Sequence, residues 1–354
     1  MRVLNRYIMS EVLKGAFVAS LVLISLLNFF TFTDELGELG QGDYGFKQIF
    51  AYLALSTPHG FYDLLPSAAL LGALVTLGGL ANHRELMAMQ AAGASKFQIV
   101  AAVVRAGLVL ALISAAVAEY VSPPAERAAQ LLKTTALKEQ VASRTKYGFW
   151  VRDGNVYINI RQIKEQDHLG DISIYTLGEN QLLQSATHAK RALYDGEKWK
   201  LKKLRTSRFA DDVVTSEERD AADWSSILAP DLLNVFVVRP ENLSGVELAR
   251  YMDYLQENGQ KSLMVDLAFW ERVVNPFVTL VMLLVAVPFV LTIRRETSTG
   301  QRIVVGVTFG LGFYLFNRMF GHLGLIYELN PIIAASAPTA LVFVGAVAAI
   351  ARLR

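Results

Sequence analysis

The apolar positions of this chain are spaced in two different ways. Residues 15–32, 49–80, 97–121, 273–293, 303–327 and 329–351 are apolar runs. Each is long enough to cross about 30 Å of hydrocarbon as a helix. The pattern predicts six membrane spans, three before residue 124 and three after residue 262. Pro58 and Pro66 interrupt the second run, where a proline frees a carbonyl and kinks the helix. Ser122-Pro123-Pro124 is expected to end the third run.

Between the two groups the period changes. Residues 125–140 form a polar, helix-forming extension. From about Tyr147 the period becomes two, with Val156, Ile158 and Ile160 alternating with Tyr157, Asn159 and Arg161. Asp153-Gly154 and Asp195-Gly196 are hairpin-turn signals. Further strands are expected at 172–177, 198–204 and 235–238. These runs predict an inserted all-β domain of roughly a hundred residues, sandwich-like or jelly-roll-like, with Trp150, Ile158 and Trp199 facing inward. Ser244 and Glu247 have capping-box spacing and open a helix that stops near Gly259. The predicted organisation is spans one to three in 1–124, the β domain with flanking helices in 125–262, and spans four to six in 263–354.

One short stretch stands out between spans two and three. In NHRELMAMQAAG, residues 82–93, Asn82 and Glu85 have capping-box spacing and Gly93 is a left-handed stop. Held between two spans, this helix either passes a push from outside the membrane to the spans or is an interfacial connector without a partner.

Composition and charge refine this picture. Hydrophobic residues make up 53% of the 354 positions, concentrated in uninterrupted runs, which excludes an ordinary soluble domain. The net charge of +2 matters less than its distribution. Arg2, Arg6, Lys14, Arg84, Lys96, Arg294, Arg295, Arg302, Arg352 and Arg354 fall on one side of the predicted spans. Asp34, Glu35, Glu38, Asp43 and Glu328 fall on the other, with Lys47 at a helix start. The positive-inside rule then predicts cytoplasmic termini, a cytoplasmic 82–93 helix and an extracytoplasmic β domain. The N-terminal run is read as a retained span, because no small-residue cleavage site follows it cleanly.

Candidate chemistry is sparse. There is no cysteine, so no disulfide framework or thiolate metal site. No G-x-x-x-x-G-K-[ST] and no H-E-x-x-H occurs, and the five histidines are scattered. Nothing supports an intramembrane protease. Gly306 and Gly310 form a G-x-x-x-G in span five, suited either to internal packing or to a subunit contact. Arg318 is the costliest residue in any span; it faces a cavity or partner, or snorkels to the interface. Counted along their spans, Asp63 and Arg318 both stand about 25 Å above the cytoplasmic boundary. They either pair across the cavity mouth or leave Arg318 available to a lipid phosphate.

The order of elements, with NRYIMSEVL, DELGELGQGDY, LPSAALLGALVTLGGLANHRELMAMQAAGAS, LSGVELARYMDYLQENG and NPIIAASAPTALVF, resembles the lipopolysaccharide-export ABC permeases of the LptF/LptG family, the LptG branch in particular. The resemblance covers essentially the whole chain and is weakest in the β domain. It implies a non-catalytic permease subunit in a bacterial inner membrane with a periplasmic β-jelly-roll domain. The implied partners are an LptF-like permease, two copies of an LptB-like ATPase, an LptC-like bridge protein and lipopolysaccharide; no nucleic acid is among them. This chain would bind no cofactor, since ATP and Mg are used by the ATPase. Residues 82–93 would be the coupling helix, with Arg84, Glu85, Leu86, Met89 and Gly93 at the ATPase contact. Substrate contacts would come from Arg318, Lys133, Phe29 and Phe32. Relatives carry basic residues after the first span, whereas TFTDELGELG here is acidic. Head-group recognition is then shifted, shared with the partner permease, or mediated by divalent cations. Two other classes fit the residues: a permease of another lipid- or lipoprotein-handling ABC system, and a membrane-anchored periplasmic scaffold.

Overall fold

The computed structural model describes residues 2–137, 149–165, 168–178, 180, 182–196, 198–210, 213–224, 239–292 and 299–352. The helices are α1 (Arg2–Glu35), α2 (Phe46–Asn82), α3 (Glu85–Ala91), α4 (Lys96–Ala116), α5 (Ser122–Ala136), α6 (Gly245–Glu257), α7 (Leu263–Thr292), α8 (Thr299–Ile326) and α9 (Pro331–Ala351). The strands are β1 (Phe149–Asp153), β2 (Val156–Glu165), β3 (His168–Leu177), β4 (Leu183–Tyr194), β5 (Trp199–Ala210) and β6 (Val213–Trp224). Among the described residues, six helical segments are long and apolar enough to cross a membrane: α1, α2, α4 continued by α5, α7, α8 and α9.

α2 and α7 form the centre, and α1, α4, α8 and α9 surround them. Leu65, Leu70, Leu74 and Leu77 of α2 and Met282, Leu283 and Val287 of α7 are buried together. α1 and α2 cross in close contact at Gly15 and Gly72. A Cβ on Gly72 would lie 2.3 Å from the carbonyl carbon of Gly15, so only glycine lets these backbones meet. Gly306 and Gly310 face Leu71, Leu74 and Ser67 of α2, which makes the G-x-x-x-G an internal packing seam.

The third span departs from its expected end. A π-helical turn, Val117–Val121, follows α4, and α5 continues from it. Pro123 and Pro124 fall in the first turn of α5, where a missing N–H costs little, so they begin a helix instead of ending one. α7 likewise starts ten residues before the expected 273, which brings Asp266, Glu271 and Arg272 into the helix.

The expected inserted β domain is present. Its described strands form one six-stranded antiparallel sheet in the order β1 to β6, a meander. Gly154 (φ 57°) and Gly196 (φ 103°) make the two predicted turns in the left-handed region. The expected strand at 235–238 lies outside the described residues. Val151, Ile158, Ile160, Ile172, Leu201 and Trp199 face a core closed by Leu248, Tyr254 and Leu255 of α6 and Val265 of α7. Trp150 was expected beside Ile158 but is 54% exposed and stacks on Tyr175. The register explains this: Ile158 pairs with Val151, and a step of one residue puts Trp150 on the other face.

Candidate functional site

Three arrangements, together with one smaller cluster of polar side chains, stand out against the apolar helices. The first is a cavity between α2, α7 and α8. His59, Asp63, Glu241, Glu271, Asn275, Asn317 and Arg318 are among its lining groups. His59 Nε2 lies 3.6 Å from the Asp63 carboxylate. Arg318 lies over the Tyr314 ring at 5.7 Å. Arg318 and Asp63 therefore share one cavity, as their equal depth suggested. Among the described residues they do not form an ion pair, and the nearest ionisable partner of Asp63 is His59, one helical turn away on its own helix.

The second arrangement joins the spans to the sheet. Arg272, 8% exposed, donates through Nη1 to the carbonyl of Ala118 at 3.1 Å. Its Nη2 donates to the carbonyl of Glu241 at 3.3 Å and to that of Leu243. The same guanidinium stacks over Tyr62 at 5.3 Å. Glu119, in the π turn, accepts from the N–H groups of Gly245 (2.8 Å) and Val246 (3.1 Å). A carboxylate here complements the positive end of α6. Ser244 and Glu247 form the predicted capping box, and Arg127 of α5 pairs with Glu247. Burial opposes ionisation of Glu247, but the Ser244 bonds and Arg127 outweigh it and hold the carboxyl below its usual range. α6 reaches the sheet through Tyr254 Oη, which donates to the carbonyl of Arg152 at 2.6 Å. Glu119, Arg272 and His59 were not singled out from sequence. Their signal was available, since each is an ionisable group within or beside an apolar run.

A smaller cluster occupies the end of α1. Lys133 Nζ is 2.8 Å from both Glu35 and Glu38 and lies over the Tyr52 ring. Tyr44 donates to Glu35 at 2.7 Å, and burial together with that bond pushes its phenol well above the usual range. The acidic loop after the first span and the expected head-group lysine are thus partners of one another. Phe32 stacks on Phe50, while Phe29 is 62% exposed.

The third arrangement is the short helix α3. Its start differs from the capping-box expectation. Asn82 ends α2, and Arg84, in a left-handed conformation (φ 59°), occupies the N-cap without a side-chain cap bond. Asn82 Oδ1 instead accepts from Arg302 Nη2 of α8 at 2.7 Å. Glu85 accepts from Tyr7 Oη of α1 at 2.9 Å. Gly93 is the left-handed stop as predicted, with φ 92°. Leu86 is buried in the helical core and Met89 packs against it, so these two anchor α3. The exposed side carries Arg84, Met87, Ala88, Ala91 and Gly93, continued by Phe97 at 78% exposure.

Residues 6–352 match the family described as "Lipopolysaccharide export system permease LptF/LptG". The chain belongs to the LptF/LptG permease family. It is 35% identical over 344 residues to the lipopolysaccharide export system permease protein LptG of Escherichia coli (strain K12), covering 96% of each chain. It is 32% identical over 343 residues to the LptG protein of Haemophilus influenzae, again with 96% of each covered. LptF of Escherichia coli (strain K12) is 31% identical over 116 residues, 33% of this chain and 31% of that one. LptF/LptG membership and six apolar helices make this a multi-pass membrane protein and a transporter subunit.

Proposed function

We propose that this chain is the transmembrane permease subunit of a lipopolysaccharide exporter, pairing with an LptF-like permease and driven by a separate ATPase. The observation that carries the reading is α3: a short helix anchored by Leu86 between two spans, with Met87, Ala88 and Phe97 exposed beside it, in a chain without a P-loop motif. Such a helix is a docking element for an LptB-like ATPase, of which two copies would serve the permease pair. The charge distribution supports α3 and both termini on the cytoplasmic side of the inner membrane and the sheet in the periplasm, towards an LptC-like bridge. Moving a multi-chain lipid exposes many methylenes at about 0.8 kcal/mol each, so an external energy source is required.

The cavity supports Arg318 as a contact for a lipid phosphate, through its planar fork. Lys133 contributes less, because Glu35 and Glu38 already neutralise it. The deciding experiment is purification of the tagged chain from its native membrane, followed by reconstitution in vesicles holding lipopolysaccharide. An ATPase and a second six-span protein should copurify, and lipopolysaccharide should leave the vesicles only with ATP. Glu85→Arg should abolish ATP-driven release while the permease still inserts. Recovery of the chain alone would favour the scaffold reading and sink this one.

A further inference from the structure

The cavity between α2, α7 and α8 carries more carboxylates than guanidiniums. Asp63, Glu241 and Glu271 line it, against Arg272 and Arg318. Arg272 is committed to three carbonyls and to the Tyr62 ring. Arg318, over the Tyr314 ring, is then the cation that a phosphate would meet.

Glu271 bears most on what this cavity accepts. It is half-buried in α7, and its Oε1 lies against Gly321 of α8, where a Cβ would come within 3.0 Å of it. Gly321 is about one helical turn from Arg318 on α8, so the carboxylate and the guanidinium serve the same stretch of cavity. Arg318, Glu241, Asp63 and His322 are the ionisable groups that act on Glu271. Among the described residues neither Glu241 nor Glu271 is in an ion pair, and Asp63 has His59 at 3.6 Å. A carboxylate set among apolar spans without a paired cation is costly. A bare phosphate monoester would raise that cost, because it brings about −1.5 to −2 charge to a site that already holds three carboxylates. A phosphate that carries an amine brings one negative and one positive charge, and the positive one suits the carboxylates. The cavity holds about 120 Å³, room for a head group rather than for acyl chains.

We propose that this cavity selects a phosphodiester bearing a primary amine: Arg318 receives the phosphate, and Glu271 and Asp63 receive the ammonium. The inference rests on the reading of Arg318 as a lipid-phosphate contact and adds which phosphates it favours. Two lipids carry this chemistry: a lipopolysaccharide whose phosphate is esterified with ethanolamine, and phosphatidylethanolamine of the bilayer.

The test uses the complex recovered with the tagged chain, in phosphatidylglycerol nanodiscs with fluorescent unsubstituted lipopolysaccharide bound. Three competitors are compared: unsubstituted lipopolysaccharide, its ethanolamine-substituted form, and that form N-acetylated, which keeps the bulk and removes the charge. The substituted form should compete about tenfold better than the other two, the size of one charge-assisted hydrogen bond. Glu271→Gln should erase that advantage by weakening the substituted form alone, and Asp63→Asn serves if Glu271→Gln does not assemble. Arg318→Met should weaken all three. Nanodiscs containing phosphatidylethanolamine separate the sources. If the bilayer lipid occupies the cavity, it weakens binding of the substituted form in the unaltered protein and not in Glu271→Gln; if binding is unchanged, lipopolysaccharide is the source. Equal competition by the substituted and unsubstituted forms, with no effect of phosphatidylethanolamine, overturns the proposal. So does an advantage that survives N-acetylation, or one that survives both Glu271→Gln and Asp63→Asn. Arg318→Met with every affinity unchanged sinks the phosphate reading itself, and this proposal with it. A uniform loss in Arg318→Met without an amine advantage from either source sinks this proposal alone.

Discussion

Replacing Arg272 by methionine isolates the joint between the spans and the sheet. Methionine keeps an apolar stem of similar reach and removes the guanidinium. Three carbonyls then lose a donor: Ala118 in the π turn, and Glu241 and Leu243 just before α6. Each buried acceptor left without a partner costs about 1–3 kcal/mol, and the lost Tyr62 stacking adds up to about 2 kcal/mol. These terms share one side chain and do not add fully, so the net loss should be about 3–5 kcal/mol, as for a broken buried charge network. At about 2 °C per kcal/mol the thermal midpoint should fall by roughly 6–10 °C in detergent. Hydrogen exchange should localise the effect, with protection lost across α6 and retained in α2. Arg272→Lys should recover little, because one ammonium cannot span the three carbonyls. A midpoint within 1 °C of the unaltered protein, using roughly that conversion, would refute the view that this side chain holds the joint.

Other substitutions probe the rest of the structure. Gly72→Val should part α1 from α2 and destabilise by about 1–3 kcal/mol, read as a lower midpoint and easier proteolysis of the N-terminal helix. Lys133→Met leaves Glu35, 8% exposed, without its cation and should lower stability by about 1–2 kcal/mol after allowance for its partly open setting; Lys133→Arg should restore most of it. Trp199→Ala should cost about 3–5 kcal/mol, whereas Trp150→Ala should cost under about 1 kcal/mol; equal effects on urea unfolding would contradict the register. The Glu247 carboxyl lies below its usual range, so its contribution is present above the unfolded carboxyl's pKa and lost as pH falls through the lower folded value. Protection of α6 against hydrogen exchange should therefore fade below about pH 4, and Glu247→Gln should remove that dependence.

The spans were legible in sequence because hydrocarbon imposes a length and forbids unpaired backbone, which one dimension is enough to express. The strands with large inward residues, β2, β3 and β5, were legible for a similar reason. β4 and β6 were not, since Ala189 and Ala192 are small inward residues in β4 and almost every side chain of β6 is exposed. The capping boxes divide instructively. Glu247 closes the box on Ser244 through Oε2 while Oε1 pairs with Arg127, so the two contacts do not compete, whereas the side-chain oxygen of Asn82 is taken by Arg302 of α8. A local motif fixes a helix start only when no stronger tertiary partner competes for its side chain.

What the sequence determined by itself, then, is the membrane character, the inserted β domain, the short inter-span helix and the family. These rest on hydrophobic period, charge distribution and turn chemistry, all properties of neighbouring residues. Only the tertiary structure decided that Leu86 faces the core, that Gly306 and Gly310 form an internal seam, and that Lys133 is held by the acidic loop. It also brought Glu119, Arg272 and residues 241–246 together across more than a hundred positions of chain. Those contacts depend on which helix faces meet, and that is set by packing the whole bundle rather than by any local pattern.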